Sequence, residues 1–218
     1  MRTRTGPSLL TIYLLGTALL LGSCTKNLTH VNQVYSNDFE GSDLKGMLVT
    51  GWTTATTFGV FTYNKIYSYN GSKVLGRLNN GKIIVNISNL PAHSIMKVEY
   101  DLYLHDGWKN DLFIMQFDGA LRLLTGFSND SAVQQSYPNW FGNGSALSPA
   151  GNHAQEIALP SPCNNQRPRG TSWYKMVHTM PHTGNQFELS CSDAGGTPND
   201  TCVRSWSIDN LKISTMRN

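Results

Sequence analysis

Within Ile95–Leu104, Met96, Val98, Tyr100, Leu102 and Leu104 alternate with Lys97, Glu99, Asp101 and Tyr103. A two-residue period puts the first set on one face of an extended chain and the second on the other, whereas a helix would scatter both sets around its axis. This stretch is therefore a half-buried antiparallel strand with one face on a core. Lys82–Ile87 reads the same way, and further strands are expected at 58–63, 111–118, 121–127, 172–179, 185–191 and 205–214. Asn/Gly turns and Asp118-Gly119 separate several of them. Helical periodicity is absent beyond the first two dozen residues. The expected fold is all-β, a two-sheet antiparallel sandwich over residues 35–218. The composition agrees, with 20 glycines and only 14% charged residues, as suits a turn-rich chain with a neutral-polar surface.

The N-terminus follows other rules. An apolar run, Leu9–Leu21, lies behind Arg2 and Arg4 and ends in Leu21-Gly22-Ser23-Cys24. The 14 residues between Pro7 and Gly22 fall short of the roughly 20 that span a bilayer, so residues 1–23 read as a cleaved export signal. The closing tetrapeptide resembles the lipobox of bacterial lipoproteins. That resemblance implies a diacylglycerol thioether on Cys24, cleavage just before it, residues 24–34 as a tether, and a place in a bacterial cell envelope, periplasmic or surface-exposed. Removing Arg2 and Arg4 lowers the net charge from +3 to +1, and no Lys/Arg-rich block remains. Nucleic-acid binding is excluded on that ground.

With Cys24 assigned to lipid, Cys163, Cys191 and Cys202 remain in a compartment that permits disulfides. Cys191 and Cys202 flank a short Gly/Asp/Asn/Pro-rich segment that closes easily, so a Cys191–Cys202 bridge is expected and Cys163 is left over. A nucleophilic Cys163 with His178 or His182 as base lacks any local signature. Those two histidines have the i, i+4 spacing of a zinc pair, but that spacing needs a helix and Pro181 interrupts it.

From Gln134 to Arg169 the chain is rich in Pro, Asn, Gly and Ser and reads as one long loop. Loops of that length in compact domains carry function, which makes it the expected binding surface. Aromatic rings stack on the apolar faces of sugars while amides bond the hydroxyls, so Trp108, Tyr137, Asn139 and Trp140 form the candidate binding set. For any one of the four, interior packing is the favoured alternative. The loop His105–Asp111 also offers side-chain oxygens for a cation or a sugar.

Several strings in order resemble a secreted bacterial jelly-roll module. They are Asn37-Asp38-Phe39-Glu40-Gly41, Leu75-Gly76, Asn79-Asn80-Gly81 and Leu90-Pro91-Ala92-His93-Ser94. The centre follows, with Tyr100–Tyr103, Asp106-Gly107-Trp108, Asp111-Leu112-Phe113, Phe117-Asp118-Gly119, Phe127-Ser128-Asn129 and Gln135–Pro138, and then Ser205–Asn210 closes the pattern. An opening Asp-Phe-Glu with a closing Ile-Asp-Asn is similar to concanavalin-like lectin/glucanase domains, including MAM-like ones. The resemblance implies neighbouring first and last strands, with Asp38, Glu40 and Asp209 as oxygen ligands of a structural calcium. Arg204 stands where an acidic residue is common in such domains, and a salt bridge from it to Glu40 is the competing arrangement. Glu99-Tyr100-Asp101 starts like the Glu-x-Asp-x-x-Glu strand of retaining glucanases, but Leu104 takes the third acidic place, so the acid/base carboxylate is missing. The expected function is a non-catalytic module that binds a glycan or a cell-surface partner. A polysaccharide hydrolase or lyase is the alternative, and an adhesion or assembly component is a third reading.

Overall fold

The computed structural model describes residues 29–52, 66–163, 170–194 and 201–217. The export signal, Cys24 and the strand expected at 58–63 lie outside the described residues. Every regular element among the described residues is a strand: β1 (His30–Asn37), β2 (Leu48–Trp52), β3 (Ile66–Tyr69), β4 (Ser72–Ser88), β5 (Ile95–Asp106), β6 (Lys109–Phe117), β7 (Ala120–Ser128), β8 (Glu156–Leu159), β9 (Thr171–Pro181), β10 (Gln186–Ala194) and β11 (Arg204–Arg217).

All pairings are antiparallel, and they form two layers that share one strand. The first layer runs β3-β4-β11-β5-β9-β8, with β1 on the C-terminal half of β11. The second runs β7-β6-β10-β4-β2. The 17-residue β4 belongs to both, since Ser72–Leu78 pairs with β3 and β11 while Lys82–Ser88 pairs with β10. Between those halves, Asn79-Asn80-Gly81 turns the corner. Asn80 takes a left-handed φ of 46°, and a Cβ on Gly81 would meet the Leu78 Cβ at 2.9 Å. Only glycine lets the chain fold back this closely.

The alternation read from β5 holds: Met96, Val98, Tyr100, Leu102 and Leu104 all lie in the interlayer core. There they meet Phe113, Met115, Phe187, Leu189, Trp206 and Ile208 from the other strands. A second, smaller cluster of Tyr69, Val74, Tyr103 and Leu159 covers the outside of the first layer beneath β3 and β8. The first and last strands are neighbours as expected, with Asn37 opposite Leu211. Residues 30–34, assigned to the tether, instead form the start of β1, with His30 opposite Arg217. Their polar side chains hid a strand that lies at a sheet edge and needs little burial.

One carboxylate secures the corner. Asp193, at the end of β10, is 7% exposed and accepts four hydrogen bonds. The amides of Asn80 and Gly81 donate at 2.9 and 2.8 Å, the Trp206 indole at 2.6 Å and Arg204 Nη2 at 3.1 Å. Arg204 is itself buried, pairs with Asp111 at 3.4 Å, and sits 5.1 Å from the centre of the Trp108 ring. The expected partner of Arg204, Glu40, is thus replaced by Asp193 and Asp111. A guanidinium this deep needs two carboxylates close at hand, and Glu40 lies on the surface.

The disulfide also differs from expectation. Cys163 is bonded to Cys202, and Cys191 is a free buried thiol that burial pushes up to about 12. Cys191 lies on the core-facing side of β10 with Phe187 and Leu189, where the two-residue period puts it out of reach of a surface loop. Peptide mapping of the non-reduced protein is expected to yield one Cys163–Cys202 cross-link, unchanged in Cys191→Ser. Reduction should cost about 4 kcal/mol on the chain-entropy scale for the 39-residue separation. Asp193→Ala leaves Arg204 and two corner amides buried without their acceptor and is expected to cost about 3–5 kcal/mol in urea unfolding. A loss near zero would remove Asp193 from its role at the corner.

Candidate functional site

The long loop is as lacking in regular structure as expected, with only β8 and a single Gln135–Ser148 bridge among its described residues. It is nonetheless rigidly held. Gln135, fully buried, accepts from the amides of Ser128 and Gly151 and from the Tyr174 hydroxyl, and donates to the carbonyls of Tyr137 and Asn152. Beyond it the chain lies along β7, the outer strand of the second layer. Tyr137 N donates to Gly126 O at 3.0 Å, Thr125 Oγ1 to Asn139 O at 2.7 Å, and Phe141 N to Leu124 O at 2.8 Å. These bonds complete the unpaired edge of β7 much as a short extra strand would.

The four candidate residues separate on this scaffold. Trp108 is fully buried, and its indole donates to Ser205 O at 2.8 Å, so it belongs to the core and not to a binding surface. Tyr137 packs against Phe127 with ring centres 4.6 Å apart and against Tyr174, and it fastens the loop. The Asn139 side chain donates to Ala146 O at 3.1 Å and closes a small hairpin through Asn143 and Gly144. Trp140 alone of the set presents its ring to solvent, at 41% exposure. Phe141, absent from the candidate set, is 40% exposed beside it, and Leu147 is exposed at the far side of the same hairpin. Phe141 lies in the same loop, but adjacency to Trp140 carries no period by which to choose it.

The loop 105–111 is structural. His105 is fully buried among Thr171, Ser207 and Tyr67, and burial pulls it down to about 3. Asp106 receives the Ser161 hydroxyl, and Asp111 pairs with Arg204. His178 and His182 do not meet. His178 packs against the rings of Tyr100 and Phe117, while His182 bonds His93. The glucanase-like acids are committed elsewhere: Glu99 pairs with Lys97 at 2.9 Å, and Asp101 accepts from Asn210 at 2.9 Å with Lys175 alongside. Leu104 lies in the core.

Of the three expected calcium ligands, two come together. Ser72 Oγ lies 2.8 Å from Glu40 Oε1 and 2.9 Å from Asp209 Oδ2. Asp38 instead accepts the Glu40 amide, and among the described residues no three His, Cys, Asp or Glu form a metal-holding group. The one Ser72 hydroxyl proton serves one of the two carboxylates at a time, while the Lys73 amide donates to Glu40 and the Asn210 amide to Asp209. Glu40 is held below the usual carboxylate range by the Lys73 amide and Ser72. Asp209 is pushed up to about 6, chiefly by burial and then by Asp101 and Glu40. Two of the three expected carboxylates, Glu40 and Asp209, thus share Ser72, and Asp38 is not with them.

No protein-family model matches this chain. No curated protein matches it either. Solved structures with a similar course include a family 35 carbohydrate-binding module from Clostridium thermocellum, at 9% identity and a TM-score of 0.37 over 86% of this chain and 98% of that one. The CBM2 module of the evolved Dit of Lactobacillus casei BL23 phage J-1 has 10% identity and a TM-score of 0.45, over 88% and 99% of the two chains. The K3 cleaved adhesin domain of Lys-gingipain from Porphyromonas gingivalis has 12% identity and a TM-score of 0.40, over 85% and 99%. At such identities nothing about ligand passes from them to this chain.

A carboxyl with a raised folded-state pKa contributes stability that is full below the unfolded value and is lost as pH rises through the folded one. For Asp209 that window runs from 3.8 to about 6. In calcium-free buffer, Asp209→Asn is expected to match wild type at pH 3.5 and to exceed it above pH 6.5 by on the order of 2 kcal/mol. Parallel stability–pH curves for the two proteins would show that no proton is taken up there.

Proposed function

We propose that this chain is a non-catalytic binding module of a bacterial cell envelope, anchored by lipid on Cys24, whose ligand is a glycan engaged at the Asn139–Leu147 hairpin. The observation that carries this reading is the pairing of exposure with rigidity. Trp140 and Phe141 are each about two-fifths exposed, yet the backbone on either side is hydrogen-bonded to β7. An aromatic platform that is already ordered loses little entropy on stacking against a sugar face. The neighbouring amides of Asn139 and Asn143 supply the donors and acceptors that sugar hydroxyls need. The carboxylates of Glu99 and Asp101 are engaged by Lys97, Asn210 and Lys175, which favours binding over hydrolysis. A structural calcium held by Glu40 and Asp209 would tie the connection after β1 to β11.

A cell-surface protein is the second reading, favoured by the exposed Leu147 and Ile157 close to the same loop. A glycan array of the processed protein, run with calcium and with EGTA, separates the two. Binding to a defined glycan set is expected, falling about tenfold or more in Trp140→Ala with melting temperature unchanged, because the ring lies outside the core. Absence of any glycan signal in both buffers would overturn the reading. Under the calcium reading, EGTA lowers the melting temperature of wild type and not that of Asp209→Asn.

A further inference from the structure

At the end of the sandwich where the chain enters, the β1–β11 register sets His30 opposite Arg217 and Asn32 opposite Thr215. The two-residue period brings all four side chains to one face of this ribbon. Together with Pro91, Ala92 and His93 of the β4–β5 connection they line a recess of about 430 Å³. Among the described residues no carboxylate lines it, and the Thr215 hydroxyl is turned to the Asn32 carbonyl at 3.4 Å. His30 and Arg217 thus present N–H donors side by side, with no side-chain acceptor bonded to either among the described residues.

The back wall is a pair of imidazoles. His93 Nδ1 lies 2.6 Å from the Pro91 carbonyl, His93 Nε2 lies 2.7 Å from His182 Nδ1, and His182 Nε2 lies 3.2 Å from Asp118 Oδ2. The ring centres are 4.9 Å apart and the planes differ by 17°. That separation is just the N–N contact plus one ring radius on each side, so the rings lie edge to edge and the shared proton is in their common plane. The carbonyl and the carboxylate at the two ends only accept. The pair thus joins the β4–β5 connection behind the recess to Asp118, which lines a second recess of about 360 Å³ whose other ionisable residue, among the described residues, is Glu188. Asp118 is fastened there by the Glu188 amide at 2.8 Å. The end of the domain is thus divided into a basic recess and an acidic one.

We propose that the basic recess binds a phosphate group, supplied by the headgroups of the membrane that carries the anchor. Arg217 contributes a planar fork matched to phosphate oxygens, and His30 and Asn32 contribute further donors. Five residues, Thr25–Thr29, separate Cys24 from His30, so the recess lies within about 20 Å of the lipidated cysteine. This assignment of source rests on the lipid-anchor reading, whereas the phosphate chemistry does not.

Intact mass of the processed protein first reports whether Cys24 carries acyl chains. In maltoside micelles, inorganic phosphate is then titrated while the ring resonances of His30 and His93 are followed, with chloride at equal ionic strength as reference. Saturable shifts with phosphate are expected. The affinity should fall about tenfold in Arg217→Gln and be partly kept in Arg217→Lys. In nanodiscs containing phosphatidylglycerol the same resonances should move in the same direction without added phosphate, and not in Arg217→Gln. Absence of a phosphate-specific shift, or a shift indifferent to Arg217, would overturn the site. A phosphate response with no response in nanodiscs would overturn the membrane source. A Cys24 without lipid would end the anchor reading alone and leave the recess standing.

Discussion

The buried carboxylate of Asp193 holds the point at which one strand leaves the first layer and enters the second. Period-two patterning puts it on the same inward face as Phe187, Leu189 and Cys191, where an unpaired acid would be costly. Two corner amides, an indole and a guanidinium satisfy it, and each belongs to a segment that must meet the others for the layers to close. Arg204 carries the same constraint onward to Asp111 and the face of Trp108, so the β5–β6 connection is drawn into the same network. Such a network specifies one arrangement more than it stabilises it, because any single missing member strands the rest.

From that corner the rest of the surface takes its layout. The long loop leaves β7 above the network, is gripped by Gln135, and then runs down the outer edge of the second layer as far as Phe141. Its aromatic pair is exposed by the geometry of edge pairing: the backbone faces β7, and side chains on such a segment have no third strand to cover them. On the other layer, the connection after β1 and the last strand bring Glu40 and Asp209 to a single hydroxyl, and the meeting of two acids, with burial, raises the carboxyl of Asp209.

Much of this was legible in the chain. The alternation in β5, and the apolar residues of β6, β7, β9, β10 and β11, located the long strands because burial of one face leaves a periodic trace. β2, β3, β8 and the start of β1 were not located, since edge strands bury too little to leave a clear period. Asp209 and Glu40 could be matched because terminal strands pair. The bridge between Cys163 and Cys202 could not be inferred from proximity in sequence, though the inward register of Cys191 next to Leu189 would have removed it from consideration. Trp108 follows an Asp-Gly turn and looks like a loop residue, yet the turn directs it inward. The His93–His182–Asp118 chain unites three separate connections, and nothing local announces it.

The bonds between residues 137–141 and β7 have an evolutionary consequence. Under the proposed glycan reading, the segment that recognises the ligand also serves as the cap on an open sheet margin, so its backbone cannot drift freely while its rings diversify. Deletions there would expose a strand to self-association before they altered specificity. Change in recognition is therefore channelled into side-chain replacement at fixed loop length, with solubility acting as the filter.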